Sequence, residues 1–124
     1  MKKHVALPTE KKIEALRAWL QEHKALQLVS LHVADKSSWT EVLIIASASS
    51  VRHAQSLADG ILAWCKAQKL EYLSVEGYQA GQWILVDLND VVVNIFQPPT
   101  RELYRLESLW GESPQPVSKQ EAPA

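Results

Sequence analysis

Residues Gln82–Gln97 read QWILVDLNDVVVNIFQ. Two runs of apolar and β-branched residues, QWILVDL and VVVNIFQ, flank the dipeptide Asn89-Asp90. Both residues tolerate positive φ, so a two-residue primed turn is expected, and such a turn sets the register of a hairpin. Leu88 then pairs with Val91, Asp87 with Val92, Val86 with Val93, Leu85 with Asn94, Ile84 with Ile95 and Trp83 with Phe96. Side chains alternate across a strand. One face therefore carries Ile84, Val86, Leu88, Val91, Val93 and Ile95, which is a core face. The other carries Trp83, Leu85, Asp87, Val92, Asn94 and Phe96. A buried carboxylate needs a partner, so this mixed face is expected to be accessible. Its aromatic rings are then candidates for a protein interface. Ordinary cross-strand packing under a helix is the alternative.

Upstream of the hairpin, VLIIASA (residues 42–48) is a continuous apolar run, which predicts a central strand covered on both faces. LQLVSLHV (26–33) predicts a strand with Val29, Leu31 and Val33 on one side and Leu28, Ser30 and His32 on the other. A first helix is expected from Thr9, read as its N-cap, with Ile13, Leu16 and Leu20 on one stripe. SSVRHAQSLADGILAWCKAQKL (49–70) is the longest helical pattern. Ser49 or Ser50 caps it, and Ala54, Leu57, Ala58, Ile61 and Cys65 form its apolar stripe. Cys65 is expected buried and inert. Gly60 inside this helix costs about 1 kcal/mol relative to Ala, with close packing against the sheet as the expected compensation. YLSVEG (72–77) predicts a short strand ending at Gly77.

Downstream, QPPTRELYRLESLW (97–110) begins with two prolines that stop the strand, and Thr100 is read as the cap of a final helix. Leu103, Leu106 and Trp110 share one stripe, with Trp110 as a clamp onto the domain. Arg101, Tyr104 and Arg105 fall on the opposite side. Three roles are open for them: a solvated helix face, contact with a partner, or bracing of the sheet by an Arg-carboxylate pair with Asp87 or Glu76. The segment after Trp110 has three prolines and no periodicity, and is read as a disordered tail, 111–124. The element order predicts a single α/β (α+β) domain over residues 9–110, with a mixed sheet of about five strands.

Composition narrows the function. The 124 residues are 47% hydrophobic, with a formal net charge of −1, so no basic excess points to general nucleic-acid binding. One cysteine excludes an intrachain disulfide framework. No apolar run approaches the roughly 20 residues that span a bilayer, and no signal peptide is read at the start; a cytoplasmic protein is expected. Enzyme readings fit poorly. Asp87 and Asp90 are three apart across a turn, whereas two carboxylates sharing a metal need to point the same way. The four glycines form no phosphate loop, and His4, His23, His32 and His53 show no ligand spacing. No catalytic residue, metal or cofactor is expected.

VEGYQAGQWILVDLNDVVVNIFQPPTRELYRLESLW (75–110) resembles the closing signature of the ribosomal silencing factors, the Iojap-related proteins. Glu76, Gly77, Trp83, Asp87, Arg101, Tyr104, Leu106, Glu107, Leu109 and Trp110 match it in order. Lys24 and Ala25, and then Ser50, Arg52, His53, Ala58 and Asp59, resemble earlier family segments. The resemblance implies a translational repressor that binds the large ribosomal subunit, chiefly its fourteenth protein, and sterically blocks joining of the small subunit. It also implies a nucleotidyltransferase-like sheet without the catalytic carboxylates. The runner-up is a large-subunit assembly factor using the same surface; a nucleotide-binding, nucleotidyltransferase-like protein is the third reading. Peripheral contact with ribosomal RNA, no membrane, and a monomer or weak homodimer complete the expectation. Trp83, Asp87, Asn94, Phe96, Arg101, Tyr104 and Arg105 are the partner-binding candidates; Gly77, Leu106 and Trp110 are the structural ones. The family usually has Asp, Asp and His where His32, Glu41 and Asn94 stand here, and a neutral hydrogen bond between His32 and Asn94 is the expected replacement for an acid-imidazole pair.

Overall fold

The computed structural model describes residues 7–34 and 40–105. Its elements run α1 (Thr9–Glu22), β1 (Leu26–His32), β2 (Val42–Ser47), α2 (Val51–Ala67), β3 (Ser74–Glu76), β4 (Trp83–Asp87), β5 (Val91–Phe96) and α3 (Pro98–Tyr104). The five strands form one sheet in the order β1-β2-β5-β4-β3. β2 and β5 run parallel at its centre, and the other neighbours are antiparallel. This is a single α+β domain with a mixed sheet.

The hairpin pairs in the register that the two-residue turn requires, from Trp83 opposite Phe96 to Asp87 opposite Val92. The Leu88 N–H closes the turn on the Val91 carbonyl at 2.8 Å, and Asn89 takes φ +82°. Asp87 stabilises the turn from below: its carboxylate accepts the Asn89 N–H at 2.8 Å. Asp90 turns toward α1, where its carboxylate accepts from Lys12 Nζ at 2.7 Å and from the Thr9 hydroxyl at 2.5 Å. Thr9 is therefore not the N-cap of α1. The helix begins at Thr9 itself, Pro8 holds the cap position, and the Pro8 carbonyl accepts the Lys11 and Lys12 N–H groups.

α1 and α2 both cover the same sheet face. Ile13, Leu16 and Leu20 from α1 and Ala54, Leu57, Ala58, Ile61 and Cys65 from α2 pack with Ile84, Val86, Leu88, Val91, Val93 and Ile95. Ser50 caps α2 by accepting the His53 N–H at 3.0 Å. Gly60 has a different partner from the one its position predicts. A Cβ there would lie 2.1 Å from the Trp19 ring, so Gly60 makes room for α1 rather than for the sheet.

The opposite sheet face has its own apolar cluster: Val29, Leu31, Val33, Leu43, Ile45, Val92 and Phe96, flanked by half-buried Trp83 and Leu85. β1 thus alternates as its sequence predicts, with Val29, Leu31 and Val33 in this cluster. His32 falls on the α1 side of the sheet, its Nε2 3.9 Å from Glu10, whereas Asn94 belongs to the other face. The expected His32–Asn94 hydrogen bond is excluded because the two side chains leave the sheet in opposite directions. Among the described residues no helix is long and apolar enough to cross a membrane.

Candidate functional site

The second sheet face carries an aromatic tier. Phe96 on β5 is fully buried. Trp83 on β4 stacks on it with ring centroids 4.8 Å apart, and Tyr104 from α3 tilts against Trp83 at 5.1 Å. Exposure rises along the tier, from none at Phe96 through a half-buried Trp83 to 55% at Tyr104. Leu103 beside Tyr104 in sequence is 74% exposed. A large aromatic edge backed by a packed core, with apolar neighbours in solvent, is the composition of a protein-docking anchor.

Trp83 is fixed in three ways. Phe96 lies beneath it, Tyr104 lies beside it, and its indole N–H donates to Asn94 Oδ1 at 2.9 Å. Asn94 in turn donates to the Val92 carbonyl at 3.4 Å and is only 2% exposed. This corrects the expectation of an accessible mixed face. β5 sits between β2 and β4, so Val92, Asn94 and Phe96 are crowded from both sides, and they reach the surface only through the residues that lie on them. Asp87 stays half-buried and spends its acceptor on the turn, not on an arginine.

The final helix is rotated relative to the sequence expectation. Arg101 is its single buried residue, 6% exposed, and its guanidinium donates to the Ser47 hydroxyl on β2 at 2.8 Å. Leu103, assigned to the docking stripe, faces solvent. α3 ends at Tyr104, with Arg105 in the left-handed region at φ +45°. Arg105 is exposed and reaches Glu102 at 3.4 Å. Leu106, Trp110 and the 111–124 tail lie outside the described residues. Thr100 is not the helix cap. The helix starts at Pro98, because proline suits a first turn whose N–H groups have no partner in any case. Gln97 holds the cap position.

Gln97 and Ser47 are site residues that the sequence did not single out. The Gln97 side chain donates to the Gly81 carbonyl at 3.0 Å and its N–H to the Gln82 carbonyl at 2.9 Å, so the start of α3 is bound to the loop before Trp83. That loop is itself held on α2. Gln55 donates to the Tyr78 carbonyl, and the Tyr78 hydroxyl donates to Asp59 at 3.0 Å, a hydrogen bond that raises the Tyr78 pKa. Gly77 opens the loop at φ +76°, where a Cβ would lie 2.1 Å from the Trp83 carbonyl oxygen. Each contact is remote in sequence, and a polar residue closing the apolar run VLIIAS was the one visible signal for Ser47. Among the described residues no group of three or more His, Cys, Asp or Glu is placed to hold a metal ion.

Residues 6–124 match the family described as "Ribosomal silencing factor during starvation". The chain is 37% identical over 99 residues to the ribosomal silencing factor RsfS of Haemophilus influenzae, covering 80% of this chain and 97% of that one. It is 30% identical over 101 residues to the mouse "Mitochondrial assembly of ribosomal large subunit protein 1", covering 79% of this chain but 44% of the longer mouse protein. A crystal structure of a Chromobacterium violaceum protein superposes with a TM-score of 0.82 at 28% identity, covering 85% of this chain and 88% of the other. The family is one of ribosome-binding factors rather than enzymes. The chain belongs to the ribosomal silencing factor (RsfS/Iojap) family.

Proposed function

We infer that this protein represses translation by binding the large ribosomal subunit, chiefly through its fourteenth protein, and occluding the surface on which the small subunit docks. The aromatic tier carries the reading. Trp83 and Tyr104 offer a rigid apolar edge, and Leu103 extends the exposed apolar area of α3. The domain over residues 9–110 is the binding unit and acts in the cytoplasm as a monomer or weak homodimer, with ribosomal RNA touched only peripherally. The net charge of −1 suits a protein partner better than bare RNA. The nucleotidyltransferase-like reading of the sheet has less support. The two acids of the hairpin turn are separately engaged, Asp87 by Asn89 and Asp90 by Lys12 and Thr9.

Cosedimentation with purified large subunits tests the reading. Tyr104→Ala, at an exposed position, is expected to weaken binding about tenfold, and Trp83→Ala by about 2 kcal/mol or more. A folded Trp83→Ala protein that pellets as well as wild type would remove the surface from consideration. Order of addition tests the mechanism. Protein mixed first with large subunits should reduce formation of whole ribosomes; added to preformed ribosomes, it should act only as fast as subunits separate by themselves.

A second reading, assembly of the large subunit through the same surface, is favoured by the name of the mouse relative. Accumulation of immature large-subunit particles on depletion of the protein in growing cells would support it over silencing.

A further inference from the structure

α3 is docked in an unusual way. A seven-residue helix at the end of a domain is ordinarily held by apolar side chains, but here Leu103 is exposed and Arg101 is the one residue that goes inside. Among the described residues of α3, burial of apolar area therefore does little to choose its orientation on the sheet. A directional bond does: the guanidinium of Arg101 on the Ser47 hydroxyl at 2.8 Å, both side chains being buried. A charged donor on a neutral acceptor in a dry environment is stronger than a neutral pair and more demanding of geometry. Three residues further along the same helix, Tyr104 stands one turn from Arg101 and meets the Trp83 ring. The start of the helix is bound separately, through Gln97 to the loop before Trp83.

We propose that Ser47 and Arg101 are positioning residues for ribosome docking: their buried hydrogen bond sets the angle of α3 and so places Tyr104 against Trp83. The inference rests on the reading of the Trp83–Tyr104 edge as the docking anchor. Neither Ser47 nor Arg101 touches the partner. They act by holding two aromatic rings in the bound arrangement before the partner arrives, which reduces the ordering cost of association. Arg101 thus moves from the contact residues to the support beneath them.

The test uses the full chain labelled with 5-fluorotryptophan, thermal melting, and cosedimentation with purified large subunits. Ser47→Ala is the mild variant, losing one hydroxyl. It is expected to weaken subunit binding about three- to tenfold. It should also move the fluorine resonance of Trp83, assigned from Trp83→Phe, toward its position in Tyr104→Ala, while the resonances of Trp19 and Trp64 on the other sheet face stay in place. In the Tyr104→Ala background Ser47→Ala should have little further effect on binding, because the ring it positions is gone. Arg101→Lys, which keeps a cationic donor, should retain more binding than Arg101→Met. A Ser47→Ala protein with a lower melting temperature but an unmoved Trp83 resonance and unchanged binding would overturn the inference while leaving the docking surface intact. So would additive effects of Ser47→Ala and Tyr104→Ala. If Tyr104→Ala itself binds as wild type, the docking reading fails and the inference fails with it.

Discussion

Replacing Lys12 by Met removes an ammonium that is 5% exposed and 2.7 Å from Asp90 Oδ1. The methylene stem of the lysine is replaced in kind, so the change isolates the charge. Asp90 keeps the Thr9 hydroxyl on its other oxygen but loses its counter-ion while remaining mostly buried. Breaking a buried pair from one side costs about 3–5 kcal/mol, and the residual exposure of Asp90 places this case near the lower end, about 3 kcal/mol. For a domain of about a hundred residues that corresponds to a fall in melting temperature of about 12 °C or more. Asp90→Asn is expected to cost less, since the amide oxygen still accepts from Lys12 and its NH2 donates to the Thr9 hydroxyl oxygen. The double variant Lys12→Met/Asp90→Asn, with neither charge left inside, should be more stable than the sum of the single changes by about 2 kcal/mol. Lys11→Met is the control, because the Lys11–Glu14 pair is exposed at 3.8 Å and contributes little. Urea melts of the four variants and wild type give the cycle. A Lys12→Met protein as stable as wild type, or strictly additive single effects, would show that this pair does not fasten α1 to the hairpin turn.

Gly60→Ala should destabilise by about 1–2 kcal/mol, because the displaced Trp19 ring outweighs the gain in helix propensity. In a Trp19→Leu background the same change should stabilise instead, which melting curves will read directly. Gly77→Ala, at φ +76° and against the Trp83 carbonyl, should cost about 2 kcal/mol or more and reduce subunit binding as the loop before Trp83 shifts. Cys65 has its thiol pKa raised by burial, with the Lys12 ammonium opposing the rise. In the folded protein at pH 8 it should react with a thiol reagent at least about a hundredfold more slowly than in denaturant. Its folded pKa stands above the unfolded value of 9.0, so its contribution is complete below pH 9 and is lost as pH rises toward the folded pKa. Above pH 9 the wild type should therefore lose melting temperature faster than Cys65→Ala.

The hairpin was legible because two local signals agree: period-two alternation on both strands, and a two-residue loop that allows one register. The burial of Phe96 and Asn94 was not legible, for a topological reason. Their second neighbour is β2, which pairs with β5 in parallel from residues far away in the chain, Asn94 opposite Ile45 and Phe96 opposite Ser47. A hairpin considered alone has two edges, and its mixed face looks exposed. Placed at the centre of a sheet it has none. The three consecutive valines of VVVNIF, like the run VLIIAS, carried the signal of a strand covered on both faces, but the polar Asn94 within it argued the other way. Trp83 resolves that conflict, since its indole N–H gives the buried amide oxygen a partner. The orientation of α3 was illegible for a related reason. Helical periodicity ranks Leu103 above Arg101 for burial, and the acceptor that reverses the order, Ser47, is 54 residues away.

The two sheet faces divide the labour of the molecule. α1 and α2 take up one face entirely, and their burial supplies the larger core. The second face has its own apolar cluster, with the tier of Phe96, Trp83 and Tyr104 at its β4 end. A surface built this way suits an occluding factor. Tryptophan and tyrosine bring large contact area with few rotatable bonds, and the ordering cost of association falls further when they are already held in place. Three buried polar residues adjoin that edge: Asn94 bonded to Trp83, Gln97 bonded to the loop that leads to it, and Arg101 on the helix that carries Tyr104. Each accounts for a buried polar group in a small core where an apolar one would add more stability. On the proposed reading the protein acts by occupying a surface, which requires no proton transfer and no bound metal. It requires an edge rigid enough that the free energy of contact is not lost in arranging it.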